Sequence, residues 1–134
     1  MKSRKRAIGN PTRAQQSYQD KARALGCVVC RFRIENGMQK DQPNTTRIHH
    51  RNVGDYHGQK QLGHDEVVAL CDWHHDGWQV EGWTVDDMRE VYGPSFKHAA
   101  DFREWTYDAI PGYGRGTAAW QRWQDEQLDL EDAA

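Results

Sequence analysis

Residues 47–77, RIHHRNVGDYHGQKQLGHDEVVALCDWHHDG, decide the fold of this 134-residue chain. Six of its seven histidines lie in this stretch, together with Cys71. Imidazole and thiolate bind borderline metals, and imidazole is the side chain that titrates near neutral pH. The stretch therefore indicates metal binding, proton transfer or both. The six histidines are His49, His50, His57, His64, His74 and His75.

The composition predicts one small, polar domain. The chain is 37% hydrophobic and 28% charged, and its mean hydropathy is −1.03. A chain of this size buries a modest core, and a structural metal is one way to stabilise a thin core. No segment approaches the roughly 18 apolar residues of a membrane span, and no apolar signal segment begins the chain. We therefore expect a soluble, cytoplasmic protein with no membrane partner.

Charge is distributed unevenly, although the formal net charge is only −2. Residues 1–12 form a basic arm that we expect to be flexible, and residues 125–132 are acidic. A basic arm indicates a polyanionic partner at that end of the chain. Two solvated, disordered ends are the alternative interpretation, and the sequence leaves it open.

Local signals predict an α+β fold of helices around a hairpin. The strands are expected at 31–34, 45–50 and 66–70, and the helices at 12–25, 72–77, 84–92, 95–110 and 117–130. Thr12 and the Thr84–Asp87 capping box mark two of the helix starts. The predicted organisation is an arm at 1–12, a metal-bound domain at 13–110, and a linker with an acidic helix at 111–134.

The cysteines predict a structural zinc site. Cys27 and Cys30 form a C-x2-C pair, and Cys71 and His74 form a C-x2-H pair about forty residues later. Two such pairs supply the Cys3His set of a closed, tetrahedral zinc site. Three cysteines are an odd number, so they cannot all be paired within the chain, and metal binding is the better interpretation in a reducing cytosol.

Three segments carry a family resemblance: TRIHH at 46–50, GHDEVVALCDWHH at 63–75 and DDMREVYG at 86–93. Together they resemble HNH endonucleases of phage recombination systems, and most nearly the recombination-enhancement, RecA-dependent nucleases. The shared features are a His-His pair, a Gly-rich loop, His64 where most HNH proteins have Asn, an LCxxHH turn and a helix ending in Tyr-Gly. The resemblance covers about residues 25–95.

The resemblance implies a ββα-metal (His-Me finger) core that hydrolyses DNA phosphodiester bonds. It makes His50 the general base, and it makes His49 and His75 the ligands of a catalytic divalent metal, Mg²⁺, Mn²⁺ or Zn²⁺. It gives His64 a catalytic role in orienting His50 or donating to phosphate. His57 is either a third ligand, a phosphate contact or, as we favour, a solvated loop histidine.

The chemistry of phosphodiester hydrolysis suits such residues independently of the family. The reaction needs an activated water, a cation on the scissile phosphate and a positioned strand. A neutral imidazole is a suitable base at pH 7 and contributes on the order of 10²- to 10⁴-fold.

Basic side chains near the predicted finger are candidates for DNA contacts. Contacts to phosphates carry no sequence information, so binding would be salt-dependent and largely sequence-independent. By resemblance, a RecA-type filament is a further expected partner, and the cell would be a phage host. The tryptophans Trp73, Trp78 and Trp83 are expected to pack around the metal region rather than stack on bases. The candidate phosphate contacts are Lys2, Arg4, Lys5, Arg6, Arg13, Arg47, Arg51 and Lys60.

Two other functions remain open from the sequence alone. The chain can be a non-catalytic zinc-binding adaptor for nucleic acid or protein, in which the additional histidines hold a second structural metal. It can also be a phage packaging-associated HNH nuclease, which shares the chemistry and differs in its partner.

Overall fold

A computed structural model describes residues 9–133 and shows a small two-stranded sheet surrounded by helices, which confirms the α+β class. The basic side chains at positions 2, 4, 5 and 6 lie outside the described residues. Two short 3-10 turns, Val53–Asp55 and Phe96–His98, join the longer elements. These elements are α1 (Arg13–Leu25), α2 (Val28–Glu35), β1 (Thr46–His50), β2 (Val67–Cys71), α3 (Asp72–Asp76), α4 (Val85–Tyr92), α5 (Ala99–Ala109) and α6 (Gly116–Ala133).

The hairpin places both ends of the histidine-rich stretch side by side. β1 pairs antiparallel with β2, with Thr46 opposite Cys71 and His50 opposite Val67. β2 is buried along its whole length, whereas β1 is buried fully only at His49. Helix α3 begins directly after β2, because the Cys71 sulfur accepts the His74 backbone N–H and caps the helix. The strand therefore delivers Cys71, His74 and His75 to one corner of the molecule.

Both predicted helix caps are confirmed. Thr12 forms a reciprocal capping box with Gln15 at the start of α1, and Thr84 forms one with Asp87 at the start of α4. In each box the threonine hydroxyl accepts a backbone N–H that the helix cannot satisfy, and the partner side chain accepts the N–H of the threonine.

The strand predicted at 31–34 is wrong, because these residues continue helix α2. Cys27 caps that helix by accepting the backbone N–H of Cys30. The side chain of Arg31 pairs with Glu35 one turn later, at 3.0 Å, as i,i+4 partners do in a helix. The alternation of apolar and polar residues over four positions was too short to distinguish strand from helix.

Helix α6 packs against the hairpin and closes the core. Its Trp120 and Trp123 are buried, and Trp120 stacks on Trp105 of α5 at 6.0 Å between ring centroids. The side chain of Gln124, also on α6, accepts the backbone N–H of Ala69 at 2.9 Å and donates to the carbonyl of Val67 at 3.0 Å. A side-chain amide thus occupies the edge of β2 that β1 leaves free.

The tryptophans expected around the metal region differ in burial. Trp73 is buried and donates its indole N–H to the Gly93 carbonyl, and Trp83 packs partly against the core. Trp78 is 65% exposed, so its predicted packing role is wrong. Among residues 9–133, no helix is long and apolar enough to cross a membrane.

Candidate metal centre and histidine site

The four predicted structural ligands meet at one point of the core. Cys27, Cys30, Cys71 and His74 are all buried, and their ligand atoms lie within 4.8 Å of one another. Helix α2 supplies the first pair from its start, and the β2–α3 junction supplies the second. The sequence prediction of a Cys3His cluster is therefore confirmed as a grouping that can hold a metal ion.

The distances within the cluster fit a tetrahedral ion. Zinc bonds to sulfur and nitrogen predict about 3.8 Å between two sulfurs and about 3.6 Å between sulfur and nitrogen. The sulfurs of Cys30 and Cys71 are 3.8 Å apart. The Nδ1 atom of His74 lies 3.5, 3.4 and 3.3 Å from the sulfurs of Cys27, Cys30 and Cys71. The Cys30–Cys71 separation and all three sulfur–nitrogen separations therefore lie within about 0.3 Å of those expected for zinc.

The imidazole of His74 is already oriented as a ligand. Its Nε2 atom lies 2.7 Å from the Tyr92 carbonyl, which can only accept a hydrogen bond. The proton of the neutral ring is therefore on Nε2, and Nδ1 presents its lone pair to the three sulfurs. A ligand histidine commonly has such an outer partner. Because Tyr92 ends α4, this bond also joins α4 to the cluster.

The thiols of the cluster differ in acidity. Burial raises the pKa of Cys27, but hydrogen bonds from Cys30 and Cys71 and the nearby His74 outweigh burial, so that pKa is well below its usual value. Hydrogen bonding to Cys27 raises the pKa of Cys30 and of Cys71. Cys27 is thus the most acidic of the three thiols, and zinc binding requires all three to be deprotonated.

His49 and His75 form a second candidate metal site beside the cluster. The Nδ1 atom of His49 is 3.3 Å from the Nε2 atom of His75, close to the separation of about 3.3 Å expected for two imidazoles on one tetrahedral ion. On the other side of the ring, Nε2 of His49 is buried and has no hydrogen-bond partner among the described residues. That nitrogen faces away from His75 and takes no part in the pair. It is the 3.3 Å separation of Nδ1 of His49 from Nε2 of His75 that fits a shared divalent cation.

The carboxylate of Asp76 supports His75 from behind. Its Oδ2 atom lies 2.8 Å from Nδ1 of His75, within ion-pair distance but without the alignment of a hydrogen bond. Burial, followed by the neighbouring His75 and His50, lowers the pKa of His49 to about 3. Burial and the neighbouring His64 also lower the pKa of His50. Both imidazoles are therefore neutral at pH 7, which a metal ligand and a general base each require.

His50 and His64 form a second pair of imidazoles. Nε2 of His50 lies 3.3 Å from Nδ1 of His64, and the rings meet edge to face. Nε2 of His64 is 2.7 Å from the carbonyl oxygen of Gly9. No described residue hydrogen-bonds to Nδ1 of His50, so that nitrogen remains available for a reactant.

His57 lies near the His49–His75 pair without joining it. Its side chain is exposed, and its ring is 5.2 Å from that of Phe96, which also lies 4.8 Å from the ring of His49. It is not among the grouped ligand atoms of the described residues. Whether His57 contacts phosphate stays a prediction.

The basic residues predicted to contact phosphates differ in their exposure and in whether they pair with other side chains. Arg13 and Lys60 are exposed, and Arg47 pairs with Asp72 at 2.6 Å. Arg51 is 13% exposed and donates to Glu66 at 2.6 Å, to Gln121 at 2.6 Å and to Thr117 at 3.1 Å. The guanidinium of Arg51 therefore links the hairpin to helix α6 through these hydrogen bonds.

Sequence reasoning missed Asp55, which anchors the loop after His50. Its buried carboxylate accepts the backbone N–H of Thr117 at 2.9 Å and also the hydroxyl of Thr117, so it caps the start of α6. Asp55 has φ 64°, and a Cβ at Gly116 would collide with its carboxylate. The Gly54–Asp55 dipeptide indicates a turn, but nothing in the sequence identifies a partner so distant along the chain.

No protein-family model matches this chain, and comparisons with curated proteins and with solved structures find no match either. The function is therefore argued from the site.

Proposed function

We propose that this protein is a metal-dependent endonuclease of the HNH type that hydrolyses DNA phosphodiester bonds. The observation that carries the proposal is the division of labour between two imidazole pairs at the end of β1. His49 pairs with His75 at a separation that suits a shared cation. His50 pairs with His64 through one ring nitrogen and keeps its other ring nitrogen free. The structural metal of the proposal is a zinc ion in the Cys3His cluster.

Adjacent strand residues point to opposite sides of a hairpin. His49 is consequently buried against Phe96 and His75, whereas His50 is half-buried beside His64. The two imidazoles nevertheless stay near one another at the end of β1, because the neighbouring His50, after burial and His75, contributes to lowering the pKa of His49. A purely structural second metal site accounts for His49 and His75 but gives no role to the His50–His64 pair.

In this proposal, a divalent cation held by His49 and His75 supplies positive charge to the scissile phosphate and the leaving oxygen. His50, neutral because its pKa is lowered, accepts the proton of the attacking water. His64 holds the other nitrogen of His50 and so fixes the direction of the base. Asp55 and α6 hold the loop between these histidines.

The DNA is held by its backbone in this proposal. Arg13 and Lys60 are exposed and free to approach phosphates. Lys2, Arg4, Lys5 and Arg6, which lie outside the described residues, are proposed as further phosphate contacts. Such contacts give sequence-independent, salt-dependent binding. A RecA-type filament in the cytoplasm of a phage host is the partner that this proposal adds.

The test is cleavage of supercoiled plasmid with Mg²⁺ or Mn²⁺, with and without a RecA filament on single-stranded DNA. Wild type is compared with His50→Ala and with His98→Ala, whose exposed side chain lies outside the site. We expect cleavage by wild type and His98→Ala, and a loss of at least about 100-fold in His50→Ala.

The outcomes separate the candidate functions. Cleavage only in the presence of the filament would assign the recombination role. No cleavage under any condition by zinc-loaded, folded protein would overturn the nuclease proposal and leave a zinc-binding adaptor. Equal cleavage by His50→Ala would overturn the assignment of the base.

A further inference from the structure

We propose that the backbone carbonyl of Gly9 is a positioning group for the histidine site, acting on His50 through His64. The carbonyl belongs to the junction between the basic arm and α1, so the arm and the candidate base are physically connected. The hydrogen-bond arrangement is independent of the proposed nuclease function, but its consequence for cleavage rests on that function.

The direction of each hydrogen bond follows from the chemistry of its acceptor. A carbonyl oxygen only accepts, so the 2.7 Å contact with Gly9 places a proton on Nε2 of His64. A neutral imidazole carries one proton, so Nδ1 of His64 is an acceptor. At 3.3 Å it accepts from Nε2 of His50. The remaining nitrogen of His50, Nδ1, therefore carries a lone pair.

This arrangement needs His64 to be held at both of its nitrogens. The backbone of His64 is held from another side, since its carbonyl accepts the side-chain amide of Gln19 at 2.9 Å. The ring itself is held by Gly9 and His50 alone among the described residues. Without the Gly9 carbonyl, the ring of His64 is free to turn, and His50 loses its fixed acceptor.

Gly9 suits this position because its backbone has φ +60°, a conformation that glycine adopts at little cost. The side chain of the residue contributes nothing, and a Cβ built there meets nothing within 4 Å. The role is therefore one of the main chain. The test must remove the carbonyl rather than a side chain.

The experiment compares two full-length or nearly full-length variants. Deleting residues 1–10 removes both the Gly9 carbonyl and the charges of the arm. Replacing Lys2, Arg4, Lys5 and Arg6 by Gln removes those charges and keeps the carbonyl. Each variant is also made in a His64→Ala background, which completes a double-mutant cycle for the deletion.

The first readout does not depend on activity. In histidine-labelled protein at about pH 8, we expect an exchange-protected Nε2–H resonance of His64 in wild type and in the Gln variant, and its loss in the deletion. Persistence of that protected resonance after the deletion would overturn the proposal, whether or not the protein cleaves DNA.

The second readout is the rate of plasmid cleavage at saturating DNA. We expect the deletion to lose about tenfold more rate than the Gln variant, since small misplacements of a catalytic group cost up to about 100-fold. In the His64→Ala background, the deletion should cost no more than the Gln replacements. Equal additional losses in both backgrounds would overturn the positioning role. Absence of cleavage in wild type would instead overturn the nuclease function, with the resonance still deciding the Gly9 contact.

Discussion

The side-chain oxygen of Gln124 accepts the backbone N–H of Ala69 at 2.9 Å and thereby pairs the outer edge of β2 with a helix. The same amide donates to the carbonyl of Val67, so two backbone groups of the edge are satisfied by one side chain. An unpaired strand edge is a template for aggregation. Gln124 is therefore a structural requirement of the hairpin that carries the histidines.

Gln124→Leu should destabilise the fold by about 2–4 kcal/mol, because it leaves two buried backbone groups without a partner. Gln127→Leu is the matched control, since Gln127 lies on the same helix and makes no side-chain hydrogen bond among the described residues. Urea unfolding of both variants measures the effect. A loss in Gln124→Leu no larger than in the control would contradict the edge-pairing role.

Cys71→Ala should lose the metal and most of the stability of the domain. Wild type is expected to contain one zinc per chain by elemental analysis, and the variant less than a tenth of that. The apparent free energy of zinc binding reaches about 10–16 kcal/mol in small zinc domains, so a chelator should unfold the wild type as well. His98→Ala should keep its zinc. A fully folded, zinc-free Cys71→Ala protein would refute the structural role.

His75→Ala should weaken binding of a second divalent ion without releasing the structural zinc. Titration of Mn²⁺ into zinc-loaded protein measures this, and we expect at least about a 100-fold loss of affinity because a direct ligand is removed. His57→Ala is the comparison, since its exposed ring lies against Phe96, whereas His75 pairs with His49. An equal loss in His57→Ala would make His57 a third ligand.

Stability should fall on acidification because His49 is held neutral. The pKa of His49 is lowered to about 3 in the folded protein, whereas in the unfolded chain it is about 6.5. Between these two values the unfolded chain binds a proton at His49 and the folded chain does not, so acid favours unfolding. The loss approaches about 1.4 kcal/mol per pH unit between those values and is absent above about pH 7. In His49→Gln, urea unfolding should show a slope shallower by about half a proton at pH 6.5 and by nearly one proton at pH 5. Parallel slopes would show that another group carries the effect.

Arg13→Gln and Lys60→Gln should weaken DNA binding and lower the salt slope of log K by about one unit each. Arg51→Gln should instead lower thermal stability, because Arg51 joins Glu66, Thr117 and Gln121 inside the molecule. Fluorescence anisotropy with a short duplex at several salt concentrations measures the slopes. If Arg51→Gln lowered the salt slope of log K without lowering thermal stability, Arg51 would be a phosphate contact after all.

Local and short-range patterns in the sequence were sufficient to predict much of this structure. The cap at Thr12 and the Thr84–Asp87 capping box depend on residues close along the chain, and both are confirmed. The Cys3His grouping follows from two short spacings, each of which constrains its own half of the site. The resemblance, rather than a local pattern, linked His64 to His50, and the structure brings the two rings together across the Gly-rich loop.

Contacts between distant segments could not be predicted. Asp55 and Gln124 are polar residues whose partners lie on the other side of the core, and neither spacing nor periodicity identifies such partners. The error at 31–34 has a local origin instead, because the helix capped at Cys27 outweighs a four-residue alternation. The Gly9 carbonyl carries no side-chain signal at all.

Helix α6 also sets the order in which a newly made chain can assemble. The ribosome releases the hairpin well before residues 117–124, which supply the cap partner of Asp55 and the edge partner of Ala69. During that interval β2 has an open edge, and such edges invite association with other chains. The histidine site is therefore completed only late in translation. A chain interrupted before residue 117 should accumulate as aggregate rather than as a folded, shortened protein.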